Sequence, residues 1–73
     1  ALNPRLTQAH VLRGQAHLAL NLFEAAITDL SEAIRLSPQL HQAFTLRGQA
    51  FLALGRADQA AQDLETAEQL NAG

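Results

Sequence analysis

The chain has 73 residues, enough for one small domain, and carries a net charge of −2 with no basic run, which argues against nucleic acid or an anionic membrane surface as a partner. It contains no cysteine, so neither a disulfide nor a thiolate metal site can form, and the expected compartment is the cytoplasm or another reducing one. No apolar run approaches the ~18 residues that suggest a membrane span, so membrane insertion is not expected.

In chain order, Asn3 and Pro4 read as a helix N-cap followed by a proline at the first helical position. Apolar residues then recur at helical spacing, which predicts a helix over about 5–20. Asn21 follows, a residue suited to a left-handed C-terminal cap. Phe23, Ala26, Ile27, Leu30, Ala33 and Ile34 carry the next periodic stretch, a helix over about 23–36. Ser37 and Pro38 repeat the cap-and-proline signal and predict a third helix over about 39–54. Gly55 then fills the slot of Asn21, and Ala57, Ala60, Ala61, Leu64 and Ala67 predict a fourth helix over about 57–70.

The second half is a copy of the first. Leu12-Arg13-Gly14-Gln15-Ala16 returns as Leu46-Arg47-Gly48-Gln49-Ala50, a spacing of 34. About 15 of roughly 33 pairs aligned at that spacing are identical, too many for chance, so the chain consists of two repeats, about 7–40 and 41–73. Residues 1–6 resemble the tail of a preceding repeat, which suggests a C-terminal portion cut from a longer array, with a complete two-repeat unit as the alternative. The short connections predict antiparallel packing of the two helices in each repeat. Gly14 and Gly48 sit mid-helix at a cost of ~1 kcal/mol against alanine. That cost suggests close helix approach, with Ala26, Ala33, Ala60 and Ala67 as the small residues on the facing helix.

Arg13 and Arg47 need partners if they are partly buried. Asp29 and Asp63 lie sixteen residues on, in matching slots of the second helix. Pairing Arg13 with Asp29 and Arg47 with Asp63 would suit the guanidinium fork. A pair of arginines poised for an acidic ligand is the alternative. His10 and His17 are two helical turns apart, roughly 10 Å along the axis, too far to share a metal ion. No serine, cysteine or carboxylate pair forms a catalytic arrangement, and no cofactor motif is present. An enzyme is therefore not expected.

The period of 34, the small residues and the proline at Pro38 resemble the tetratricopeptide repeat. The resemblance rests on Gly14, Ala26, Leu30, Ala33 and Pro38, then on Phe44, Gly48, Phe51, Ala60, Leu64 and Ala67. His10 and His17, where the family prefers aromatics, and Ala72, where it prefers proline, depart from the pattern. The resemblance implies an all-α fold of two helix-turn-helix repeats, four antiparallel helices in a short α-solenoid. It further implies a non-enzymatic module that binds a peptide or partner protein in a concave groove. The groove positions would be Gln8, Val11, Gln15 and Leu18, then Gln42, Thr45, Gln49 and Leu52. One subtype grips a C-terminal carboxylate with lysine and asparagine. Those slots hold Val11, Thr45, Gln15 and Leu46, so the groove is not expected to be of that clamp type. Leu18 and Leu52 could equally pack helix on helix.

The repeats also differ at their outer faces. Ile27 and Ile34 become Ala61 and Glu68, a wetter surface suited to a terminal repeat. Two repeats leave apolar surface, and a homodimer through the end helices or by helix exchange is the alternative function.

Overall fold

A computed structural model describes residues 4–72. They form four helices, α1 (Pro4–Ala19), α2 (Phe23–Leu36), α3 (His41–Ala53) and α4 (Ala57–Ala72). Helices α1 and α2 pack as one hairpin and α3 and α4 as another, and the hairpins are joined mainly through α2 against α3. The molecule is a slab, 36 × 28 × 15 Å in extent. So thin a slab has little interior. Its buried cluster accordingly consists of Val11, Ala26, Leu30, Ala33, Ala43 and Ala50, with larger side chains such as Leu18, Phe23 and Ile27 only partly covered around it.

The left-handed turns form as expected. Asn21 has φ 61° and Gly55 has φ 77°. At the first, the Leu22 N–H donates to the His17 carbonyl at 2.8 Å and the Asn21 N–H to the Leu18 carbonyl at 3.0 Å. The second repeats this pair, with Arg56 to Phe51 at 2.8 Å and Gly55 to Leu52 at 3.0 Å. Both ends are therefore Schellman motifs, which satisfy the last carbonyls of each first helix.

The expected cap at Ser37 and Pro38 is corrected. Helix α3 begins at His41, not at 39, and Ser37 instead follows the end of α2, its N–H bonded to the Ala33 carbonyl. Residues 37–40 make a turn in which the Leu40 N–H donates to the Ser37 carbonyl at 3.1 Å. Proline fixes φ near the value the second position of such a turn requires, and serine suits the first. The same two residues that can open a helix here close a turn before one. At the other end of that helix the last residue is Ala53, and α4 runs to Ala72 rather than 70. The cap expected at Asn3 lies outside the described residues.

The glycines mark close approach, nearest to a leucine of the facing helix, and at Gly48 also to the Ala60 carbonyl, 3.4 Å from where a Cβ would stand. A Cβ on Gly14 would lie 2.8 Å from Leu30 Cγ, and one on Gly48 would lie 2.9 Å from Leu64 Cγ. Each leucine drops into the notch left by the missing side chain of the opposite helix. Leu30 is fully buried and has nowhere to retreat. Gly14→Ala gains ~1 kcal/mol of helix propensity but overpacks this contact at a cost of ~1–3 kcal/mol. A net loss of stability is expected in denaturant titration. Combining it with Leu30→Ala should cost less than the two single losses added together, because the second change empties the space the first one invades.

Candidate interaction surface and the arginine sites

The two repeated arginines reach the two repeated aspartates. Arg13 Nε donates to Asp29 Oδ1 at 2.9 Å, and its Nη2 lies 2.8 Å from the same oxygen. Arg47 makes a true fork, Nε to Asp63 Oδ2 and Nη2 to Asp63 Oδ1, both at 2.8 Å. The aspartate side chains are only 4% and 7% exposed. A carboxylate so far removed from water needs a paired, hydrogen-bonded cation.

The arginines themselves differ. Arg13 is 63% exposed, whereas Arg47 is 22% exposed. Arg47 Nη1 also donates to Ser31 Oγ of α2 at 3.1 Å, so one side chain ties α3 both to its own partner helix and to the preceding hairpin. Its guanidinium carbon lies 5.6 Å from the Phe44 ring centre and 5.8 Å from that of Phe51, within cation–π range.

In the first repeat, histidines stand in place of these two rings. His17 Nδ1 donates to Asp29 Oδ2 at 2.7 Å. Because His17 occupies one oxygen, Arg13 places both of its nitrogens on the other. The sequence reading missed this contact, although a signal existed. His17 lies four residues after Arg13, one turn along the same helix face, and so meets the same carboxylate. Burial opposes ionisation of Asp29, but the hydrogen bonds from Arg13 and His17 outweigh it, and its pKa lies below the ordinary carboxylate value. Further ion pairs lie in solvent. Arg35 pairs with Glu32 on α2, and Arg56 reaches Glu24 at 2.7 Å, linking the two left-handed turn regions. Such exposed pairs contribute little.

The expected groove residues are placed unequally. Val11 is fully buried in the core, so it presents no surface to a ligand, and its place in the groove is corrected. It belongs to the core cluster with Ala26, Leu30, Ala33, Ala43 and Ala50, whereas its counterpart Thr45 is half-buried and spends its hydroxyl on the His41 carbonyl at 3.1 Å. Gln8, Gln42 and Gln49 are exposed, Gln15 and Leu18 half-buried, and Leu52 is 54% exposed. Leu18 also packs against the core cluster. On α3, Gln42, Thr45, Gln49 and Leu52 follow the three-and-four spacing of a single helix face. A shallow open depression lined by Gly55 to Gln59 lies at the start of α4. Among the described residues, no group of three His, Cys, Asp or Glu could hold a metal ion, and no helix is long and apolar enough to cross a membrane.

Asp29 generates a pH prediction. Its folded carboxyl binds a proton less tightly than the unfolded one, so its contribution is complete above the unfolded pKa and is lost as the pH falls through the folded one. The urea midpoint of the wild type should therefore exceed that of Asp29→Asn at about pH 6, and the gap should narrow between about pH 5 and pH 2. An unchanging gap would mean that ionisation of Asp29 contributes nothing.

Comparison with known proteins gives one family match. A family model described as tetratricopeptide repeat matches residues 2–41 and again residues 11–73. No curated protein matches the chain.

Proposed function

The chain belongs to the tetratricopeptide-repeat family, and on that premise we propose that it binds an extended peptide or an uncharged helix along Gln8, Gln15, Leu18, Gln42, Thr45, Gln49 and Leu52. Repeats of this family mediate protein–protein interaction and are typically non-catalytic. The observation that carries the finer reading is the character of the α3 face. Gln42 and Gln49 are exposed, and Leu52 is an exposed large apolar side chain on the same helix face. None of the seven proposed residues is charged. Amide side chains can both donate to and accept from a peptide backbone, while Leu18 and Leu52 supply apolar contact. A terminal carboxylate or a strongly charged tail would find no counter-charge among them.

Domain organisation follows the same reading. Residues 7–40 and 41–73 are two repeats of one domain, each a hairpin held by its own arginine and aspartate. In this proposal Arg13 and Arg47 serve the scaffold and do not receive an acidic ligand. Their carboxylate partners are already present within the chain, as the contacts to Asp29 and Asp63 indicate.

Self-assembly through the end helices, or by helix exchange, is the competing function. The double variant Gln15→Arg with Gln49→Arg separates the two. With a peptide selected from a random library on the wild-type protein, the variant should lose at least about tenfold in affinity, the equivalent of ~1.4 kcal/mol. Its solution mass should be unchanged. Retained peptide binding together with an altered mass would reject the groove and favour self-assembly.

A further inference from the structure

The duplication puts a histidine in the first repeat where the second has a ring without nitrogen. His17 and Phe51 occupy the same slot. The His17 ring joins the two helices of one hairpin, since its Nδ1 meets Asp29 Oδ2 of α2 at 2.7 Å. The Asp29 side chain is only 4% exposed. Burial opposes its ionisation, yet the bonds from Arg13 and His17 hold its carboxyl below the ordinary carboxylate range, so it is charged at neutral pH. An ionised carboxylate can only accept hydrogen bonds. Nδ1 of His17 must therefore carry the proton, and in the neutral ring the lone pair resides on Nε2.

Nε2 makes no hydrogen bond among the described residues, where the enclosed side-chain polar atom that lacks a partner is Thr7 Oγ1. It therefore meets solvent, and the His17 side chain is 27% exposed. Among the described residues, His17 is the histidine whose ring bonds a carboxylate, which His10 and His41 do not. A carboxylate on one ring nitrogen fixes the ring and raises the basicity of the other. An electrophile taken up by Nε2 leaves the ring cationic with its Nδ1 proton in place. The counter-charge for that cation is already built, buried and 2.7 Å away. Arg13 converges on the same carboxylate from one helical turn earlier. A guanidinium there favours an electrophile whose oxygens are anionic, a phosphoryl group rather than an acyl group.

We propose that His17 is a phosphoryl-acceptor site, its Nε2 taking a phosphoryl group from a donor of the phosphoramidate class. The Nε2 lone pair forms the new N–P bond while the donor's own P–N bond breaks. The electron pair of that bond leaves with ammonia, whose third hydrogen the protonated donor already carries. Nothing is oxidised or reduced, and no proton need leave the ring, because Nε2 starts without one. Asp29 acts as the positioning residue: it selects the tautomer and faces the cationic ring of the product. The second repeat, with Phe51 in this slot, has no such nitrogen. The site is separate from the glutamine stripe, and its success or failure does not depend on peptide binding there.

The probe is potassium phosphoramidate, incubated with the intact chain in mildly alkaline buffer and followed by mass spectrometry with fragmentation that locates the added group. His17 should react at least about tenfold faster than His10 or His41, the scale on which a carboxylate behind a histidine acts. Long-range proton–nitrogen spectra should show the neutral His17 ring protonated at Nδ1, and the product bonded to phosphorus at Nε2. Asp29→Asn, checked for an unchanged helical spectrum, should slow the reaction at His17 by a similar factor and leave His41 unaffected. His17→Phe, which copies the second repeat, should abolish the fast phase. Should Asp29→Asn fail to fold, the ranking of the histidines and the tautomer in the wild type decide. The proposal is overturned if His10 or His41 reacts as fast as His17, if the His17 ring is protonated at Nε2 instead, or if a folded Asp29→Asn reacts at the wild-type rate.

Discussion

Burying a carboxylate in a slab this thin requires a cation within reach, and Asp63 obtains one from Arg47 through two hydrogen bonds of 2.8 Å. The rest of the arrangement follows from that need. Asp63 lies on α4 and Arg47 on α3, so the pair fixes the spacing and register of the hairpin. The glycine after the arginine lets Leu64 enter the same interface, 2.9 Å from where a Cβ would stand. Arginine beside glycine in the middle of a helix is therefore one device. The glycine removes bulk where the helices approach, and the arginine neutralises the charge that the approach buries. The third contact, to Ser31, carries the linkage across to the preceding hairpin.

Duplication did not produce two equal sites. Phe44 and Phe51 flank Arg47 with apolar surface, while His10 and His17 stand at the matching positions of the first repeat. The exchange of phenylalanine for histidine turns a ring contact with the arginine into a hydrogen bond with the aspartate. Asp29 thus has two donors, from Arg13 and His17, whereas Asp63 is held by the fork of one arginine that lies mostly out of water. The arginine of the first hairpin is the wetter of the two.

Local and periodic features were legible in the sequence. The spacing of 34, the four helices and the left-handed turns at Asn21 and Gly55 depend on nearest neighbours or on helical period, and short sequence patterns carry both. The positions of Asp29 and Asp63 could be named because an arginine on a packing helix, if partly buried, demands a partner, and the repeat offered the same candidate twice. Other features depend on what lies across the fold. Pro38 is compatible with a helix start and with a turn, and the path of the chain selects the turn. Val11 has the spacing of a groove residue but lies fully buried in the core cluster. The notch at Gly14 accepts Leu30 because of helix rotation, which composition does not reveal. Most plainly, Ala9 and Ala43 are the same residue in the same repeat position, yet one is exposed and the other fully buried. No local rule distinguishes them, since only the neighbouring α2 does.

The central claim is that the repeated arginines hold the scaffold. A double-mutant cycle with Arg47→Ala, Asp63→Ala and the double variant tests it most directly, with unfolding free energies measured in urea at neutral pH. For a pair this far removed from water, removing one partner strands the other, so each single change should cost about 2–4 kcal/mol. The double variant should cost clearly less than their sum, with a coupling of about 1.5 kcal/mol or more. Coupling near zero, with both single variants as stable as the wild type, would contradict a scaffold role and return Arg47 to the candidates for ligand recognition.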